Sequence, residues 1–381
     1  MRLAAALALL AASAAPAFAS GTIRVAIVEQ ARLVEVRGGA IEVTENGRCE
    51  RCGARLTRLD LVRAVPNGIG VDIDGVRAQA FRLTSDRPLR INGREYPAPL
   101  ELVRNGDGIA VVNELPLEEY LPGVLRAEMG EKFPKEALRA QAIIARTYAA
   151  NQRVVSAGKL YHILASTAHQ VYSGRVPPNS PLWDAVRETA GQVLLWEGEV
   201  FAAFYHSESG GYTEDPRTVF TANNIPGLKP VVCPFSVGSP HYLWNLDLRL
   251  ADIGEALRRG GVDVGEVRRI AVAERTSSLR AVTVAVAGTR GHVHLRGNDF
   301  RRMLGYETFK STLFAVAIDG ELARFAGRGY GHGAGLCQWG AKGMADRGYT
   351  ARQILEFYYP GTTWGALNGG LGGRPEPPNF R

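Results

Sequence analysis

Between residues 22 and 112, apolar positions alternate with polar ones or gather in short runs: Ile23-Val25-Ile27, Val34-Val36, Ile41-Val43, Val71-Ile73, Ala80-Leu83 and Ile109-Val111. A period of two is that of a strand with one face buried. The pairs Asn46-Gly47, Asp74-Gly75, Asn92-Gly93 and Asn105-Gly106 separate the runs with turn chemistry. The pattern predicts a β-rich unit over 20–112, with no chemistry visible in it.

The period changes at Asn113-Glu114-Leu115-Pro116. Pro116 and Pro122 each suit the first turn of a short helix, where a missing N–H costs nothing, and Pro134 suits the start of a long one. Along the long helix Leu138, Gln141, Ala142, Ala145 and Ala149 share one face, small enough for close packing. Arg139, Arg146 and Arg153 recur on a neighbouring face. The first and last read as solvated. Arg146 lies among Ile143, Ile144, Ala145, Thr147, Tyr148 and Ala149, and a partly buried arginine wants a carboxylate or an anionic ligand. Glu128 and a substrate are the two candidates.

Further on, the run over 191–205 predicts a hairpin turned at Glu197-Gly198, leading into the loop His206-Ser207-Glu208-Ser209-Gly210-Gly211. Loops at strand ends are where scaffolds place reactive groups. A helix over 250–259, strands over 267–273, 279–287 and 292–295, and a short helix over 299–304 make a coherent α+β unit inserted at 247–324. A helix over 351–357 is followed by a glycine- and proline-rich tail expected to be loose from 365 to 381. The fold class is therefore α+β: a β-rich N-terminal domain, then a mixed core over 113–246 and 325–364 interrupted by the insert.

The N-terminus changes the setting. Arg2 precedes an alanine and leucine run broken by Ser13 and Pro16, then Ala17-Phe18-Ala19. This is a leader signature over 1–19 with cleavage before Ser20, and the run is shorter than the roughly 20 residues of a membrane span. The expected location is secreted, in the periplasm or cell envelope, with no transmembrane segment after cleavage. The formal net charge of +7 comes from scattered arginines, which fits a solvated basic surface or attraction to an anionic envelope polymer. No nucleic-acid motif is present. Four cysteines, Cys49, Cys52, Cys233 and Cys337, allow three pairings, among which the sequence does not choose. Cys49-Glu50-Arg51-Cys52 lacks the second pair of a zinc site and a thioredoxin-like surround, so a structural disulfide is the expectation.

Three chemistries can be weighed on residues alone. A serine hydrolase built on Ser207 lacks the Gly-x-Ser-x-Gly elbow. A zinc hydrolase lacks a ligand spacing such as H-E-x-x-H among seven histidines. A two-carboxylate glycosidase would pair Glu128 with Glu131, Glu208 or Asp215, whose separations the sequence does not fix. Glu128 itself, read locally, is a helix-surface acid within reach of Arg126 or Lys132.

Four ordered motifs add to this: LPLEEYLPGVLRAEM, PKEALRAQAIIARTYA, the YHSESGG loop, and GRGYGHGAGLCQWGAKGMA with its trailing QILEFYYPGT. Spanning about 113–362, they resemble the SpoIID/LytB domain. The resemblance implies a peptidoglycan lytic transglycosylase acting on glycan strands stripped of stem peptides. It implies Glu128 as a single general acid and base, and Arg146, Tyr205, His206, Ser207, Gly210, Gly211, His332 and Gln338 as substrate-binding residues, with Trp339 beside the same groove. Desolvation by Val124, Leu125, Met129 and Phe133 would raise the acid's pKa, and a close Arg146 would lower it. Some members hold zinc near the loop matching 162–174, but Ala165 and Ala168 stand where cysteine is expected. His162 and His169 remain, and neither metal nor cofactor is expected. The partners implied are glycan strands and a cell-wall amidase. The second reading is a glycan-binding enhancer of that amidase with no catalysis of its own.

Overall fold

The alternating segments become strands of one ten-stranded sheet. The computed structural model describes residues 18–19, 21–50, 58–68, 70–220 and 228–368, so most of the expected leader, its expected cleavage point and Cys52 lie outside the described residues, as does the side chain of Cys49. Val34–Glu50 pairs with Leu59–Pro66 along its first half and with Val76–Thr84 along its second, which curls the sheet onto itself. Gly108–Pro116 runs antiparallel to both Leu100–Asn105 and Thr22–Ala31. At the edge, Ile163–Leu164 adds in parallel beside Thr22–Ala31. This short pairing ties the polar loop at 162–174 to the N-terminal sheet.

Helix α1 (Leu117–Glu128) starts directly on the last strand residue, Pro116. It runs through Pro122 as a single helix, where the sequence predicted two short ones. The proline removes one i→i−4 hydrogen bond, and burial of Leu117, Tyr120, Leu121, Val124 and Leu125 holds the helix together regardless. α2 (Lys135–Val155) follows Pro134, and its unbroken stretch from Ala140 to Ala150 is buried. Alanines on this helix allow close approach, and α3 (Leu182–Glu188) packs against it. One apolar core runs from the sheet (Ile23, Val111) through α1 and α2 (Leu121, Ile144) to Leu355 near the C-terminus.

After the short α4 (Pro216–Val219), a second apolar core gathers Trp244, Ile253, Leu257, Ile270, Val284, Phe300 and Phe325. It is built by α5 (Leu250–Arg259), α6 (Gly297–Leu304) and two three-stranded sheets. Phe300, Phe309, Phe314 and Phe325 pack ring on ring within it. The chain then returns to the first core through α7 (Gln338–Ala345) and α8 (Ala351–Tyr358), the latter begun by a Thr350–Gln353 capping box.

Two expectations need correction. The turn at Glu197-Gly198 forms, with positive φ at both residues and mutual backbone bonds of 2.9 and 3.0 Å between Trp196 and Glu199. Its incoming strand, Gln192–Leu195, pairs instead with Thr363–Asn368. Val193, Leu194 and Leu195 are all buried, so this strand needs cover on both faces, which a simple hairpin would not give. The same pairing orders residues 365–368, which the glycine-rich composition had assigned to a loose tail. No helix among the described residues is long and apolar enough to cross a membrane.

Candidate active site

Glu128 is the last residue of α1, so its side chain leaves the helix where the chain breaks toward Gly130, which has positive φ. Three donors converge on its carboxylate. The backbone N–H of Val171 reaches Oε1 at 2.9 Å, the Tyr205 hydroxyl donates to Oε1 at 3.4 Å, and Gln338 Nε2 donates to Oε2 at 3.4 Å. They come from three distant segments: the polar loop, the strand Tyr205–His206 and the first residue of α7. Tyr205–His206 lies parallel to Leu336–Cys337, which brings Tyr205 and Gln338 to the same carboxylate.

Burial raises the pKa of Glu128, against the opposing pull of those three hydrogen bonds. None of the groups that set it is an arginine or a second carboxylate. Apolar neighbours Val124, Leu125 and Met129 are buried beside it, and Phe133 packs edge-on to Trp339 at 5.6 Å between centroids. The orientation of Tyr205 is fixed in turn: Gln170 donates to its hydroxyl at 3.1 Å and also to the Ala145 carbonyl of α2 at 3.3 Å. Burial keeps Tyr205 protonated by pushing its pKa well up, so it acts on Glu128 as a donor. The arrangement is a carboxyl group biased toward its neutral form, partly exposed, held in one place by neutral donors. That is the equipment of a general acid.

Arg146 is not part of it. Its guanidinium has no solvent exposure and binds Glu118 through two bonds of 2.7 Å, with the Gln192 and Val186 carbonyls at 3.1 and 3.3 Å. Glu118 also accepts the Gly191 N–H at 3.2 Å. The role as a substrate-binding residue is therefore corrected: Arg146 offers no surface to a sugar and joins α1, α2, α3 and the strand at 192–195. The partner it needs is Glu118, not Glu128.

His206 and Gly210 are buried as well, so neither presents a side to a ligand as expected. His206 Nδ1 lies 3.0 Å from the Ala334 carbonyl, and burial holds the ring neutral by lowering its pKa well below the usual range. A side chain on Gly210 would come within 2.9 Å of Arg328 and Leu313 carbons. Ser207 uses its carbonyl to accept the Trp339 N–H at 3.1 Å, and the Gly211 carbonyl accepts the Cys233 N–H at 2.9 Å. His332 packs against Phe204, His206 and Phe220, its pKa lowered to about 3 by burial. Of the expected residues, then, Tyr205 and Gln338 meet Glu128 directly.

The other carboxylates have partners of their own. Glu131 accepts Ser180 at 3.0 Å, Glu208 accepts the Gly210 N–H at 2.9 Å, and Asp215 caps α4 and pairs with Arg217 at 2.5 Å. His162 and His169 each accept a backbone N–H at Nδ1, from Arg24 at 3.2 Å and Leu164 at 2.9 Å. Cys233 and Cys337 are free, buried thiols that both lie against Gly340. The Val171 N–H, the strongest contact to Glu128, was invisible in the sequence because a backbone donor has no residue signature. Gln170 stood in plain view in the polar loop, and a glutamine within a run of hydroxyls and histidines was the only hint of a relay.

A family model for the stage II sporulation protein (SpoIID) matches residues 105–196, and one for a domain of unknown function (DUF8618) matches 236–335. Stage II sporulation protein D of Bacillus subtilis is 33% identical over 66% of this chain and 75% of its own length. The chain belongs to the SpoIID/LytB family. An uncharacterised protein of Brachyspira hyodysenteriae is 31% identical over 79% of this chain and 81% of its own. The amidase enhancer of Bacillus subtilis is 29% identical over 64% of this chain and 40% of its own. The SpoIID match contains α1, α2, Glu128 and Val171, whereas Tyr205 and Gln338 lie outside it. The site of this SpoIID-family chain is thus completed by segments on either side of the second core.

Proposed function

We propose that this chain is an exported lytic transglycosylase that cleaves the MurNAc-GlcNAc linkage of peptide-stripped glycan strands, leaving 1,6-anhydro-MurNAc ends. The observation that carries the proposal is the environment of Glu128: a pKa raised by burial, with its hydrogen bonds coming from neutral donors. In the neutral form its proton passes to the glycosidic oxygen as the C1–O bond breaks. The resulting carboxylate then takes the proton of the sugar's own C6 hydroxyl as that oxygen bonds to C1. One carboxyl group serves both steps, and the nucleophile is internal, so the second carboxylate of ordinary glycosidases is not required. Tyr205, Gln338 and the Val171 N–H receive the charge as it develops and keep the oxygens in register.

The name of one relative, amidase enhancer, favours a second reading in which the same groove binds glycan and stimulates an amidase. Incubation of the mature chain with peptide-free glycan strands separates the two. Anhydro ends detected by mass spectrometry, lost in Glu128→Gln, support the enzyme. Reducing ends would point to hydrolysis, and no cleavage with faster amidase turnover would favour the enhancer.

A further inference from the structure

A second feature lies where the loop after Tyr205–His206 meets the second core. A cavity of about 40 Å³ opens there, lined by Glu214, Arg280, Asn298, Thr312 and His332, with Arg296 at its exposed rim. Arg280 is 2% exposed. Its Nη2 donates to the Ser209 carbonyl at 2.7 Å, but Nε and Nη1 are buried and have no partner. The guanidinium lies flat against Gly333, whose Cβ, if it had one, would sit 2.5 Å from Cζ.

A buried cation with two unmet N–H donors is costly and calls for an acceptor. Glu214 does not supply it. Its Oε2 takes the hydroxyls of Thr276, at 2.6 Å, and of Ser278, and its Oε1 takes the Asp215 N–H at 2.8 Å. Burial lowers Arg280 to about 10, so it keeps its charge at neutral pH. Each of these two N–H groups is a donor for an oxygen of an anionic group such as a carboxylate. The space admits a small anionic group or a few waters and excludes a whole sugar ring.

We propose that Arg280 is the floor of a binding site for a carboxylate, with Arg296 at its mouth. Such a group has two sources, a free small acid or an acid carried on a glycan. Resting on the function proposed above, the glycan source is the lactyl arm of a muramic residue, which carries a free carboxylate only after its peptide has been removed. A peptide-linked arm is an uncharged amide and would leave Arg280 unpaired, which would make the site a reader of the stripped state.

The test is thermal shift and calorimetry on the mature chain with acetate, N-acetylmuramic acid and N-acetylglucosamine, the last two differing by the lactyl group. Acetate and N-acetylmuramic acid should raise Tm saturably, by roughly 2–4 °C at high occupancy, and N-acetylglucosamine should not. Arg280→Gln should abolish the shift. Arg296→Gln, at an exposed position, should weaken binding several-fold and reduce its salt dependence even if the first variant does not fold. Acetate binding without N-acetylmuramic acid binding would keep the carboxylate site and overturn its glycan source. No shift from either acid, or shifts equal to that of N-acetylglucosamine, would mean that the cavity holds water only. The readout needs no turnover. Arg280-dependent binding by a chain that never cleaves glycan would sink the proposed enzyme and leave this site standing, and cleavage without binding would do the reverse.

Discussion

Arg146 and Glu118 face each other as a bidentate pair, Nε to Oε1 and Nη2 to Oε2 at 2.7 Å each, with the guanidinium wholly enclosed. Removing one member leaves a buried charge without its counter-ion, which typically costs about 3–5 kcal/mol. Arg146→Met and Glu118→Gln should each lower unfolding stability by that order, while the double variant recovers part of it. Any glycan cleavage should survive per folded molecule. Denaturant unfolding beside an anhydro-end assay checks both, and a loss of turnover in a fully folded Arg146→Met chain would return the arginine to the active site.

Replacing Glu128 should separate activity from stability. Glu128→Gln keeps an acceptor for the Val171 N–H but has no proton to give, so turnover should fall about 10²–10⁴-fold or more. The folded pKa of Glu128 lies above its ordinary 4.5, so the folded chain binds the extra proton in the window just above that value. Its contribution to stability is complete below the ordinary pKa and is lost as pH rises through the folded one. At neutral pH the Gln variant should therefore melt at or above the wild-type temperature. A variant that is inactive because it is unfolded would contradict this.

The pH profile offers a finer test of the donors. In the proposed reaction Glu128 acts in its protonated form, so kcat/KM should fall as pH rises through its raised pKa. Tyr205 and Gln338 stabilise the charged form. Tyr205→Phe and Gln338→Leu should each raise the pKa further and move the alkaline limb to higher pH, even as the maximal rate drops. A limb that stays in place would show that another group governs it.

The parts of this site that could be read from sequence are those governed by local periodicity or by residue identity. Glu128 at a helix end is a local feature that by itself reads as a surface acid; the motif resemblance singles it out, and segments brought in by the fold supply its donors and its burial. The partner of Arg146 was not legible, because Glu118 lies 28 residues away on another helix and becomes adjacent only when α1 packs on α2. The glycine-rich run at 327–345 enters the sequence reading only as a motif of the resemblance. Its glycines let backbones touch: a Cβ on Gly331 would lie 2.8 Å from that of His206, and one on Gly335 only 1.8 Å from the Phe204 carbonyl oxygen. This close packing is why His206 is buried.

Gly335 gives that packing a direct test. Its φ of 70° already disfavours an L side chain, and the Phe204 carbonyl leaves no room for one. Gly335→Ala should cost about 2 kcal/mol or more and, by shifting Leu336–Cys337 against Tyr205–His206, should also loosen the Tyr205 and Gln338 contacts to Glu128. Unfolding curves and the pH limb should change together, whereas Gly198→Ala, at a turn where a Cβ meets nothing, should change stability alone.

The free thiols of Cys233 and Cys337 both lie against Gly340, and each has further ties. Cys233 meets the Tyr358 hydroxyl at 3.0 Å, and Cys337 accepts the Ser209 and Gly340 N–H groups at 3.2 Å each. Cys233 is the more acidic of the two, lowered to about 6 chiefly by the neighbouring Cys337 thiol, so it is the thiolate that attacks. Treated with oxidised glutathione, its sulfur should form a mixed disulfide, releasing one reduced glutathione. Cys337 should then displace the second, closing Cys233–Cys337. Intact mass should fall by two hydrogens, and thiol labelling at both positions should be lost. Because the bond closes a long loop, unfolding stability should rise by about 2–4 kcal/mol. A stable mixed disulfide that never resolves, or labelling unchanged under the oxidant, would show that the two sulfurs do not reach bonding geometry.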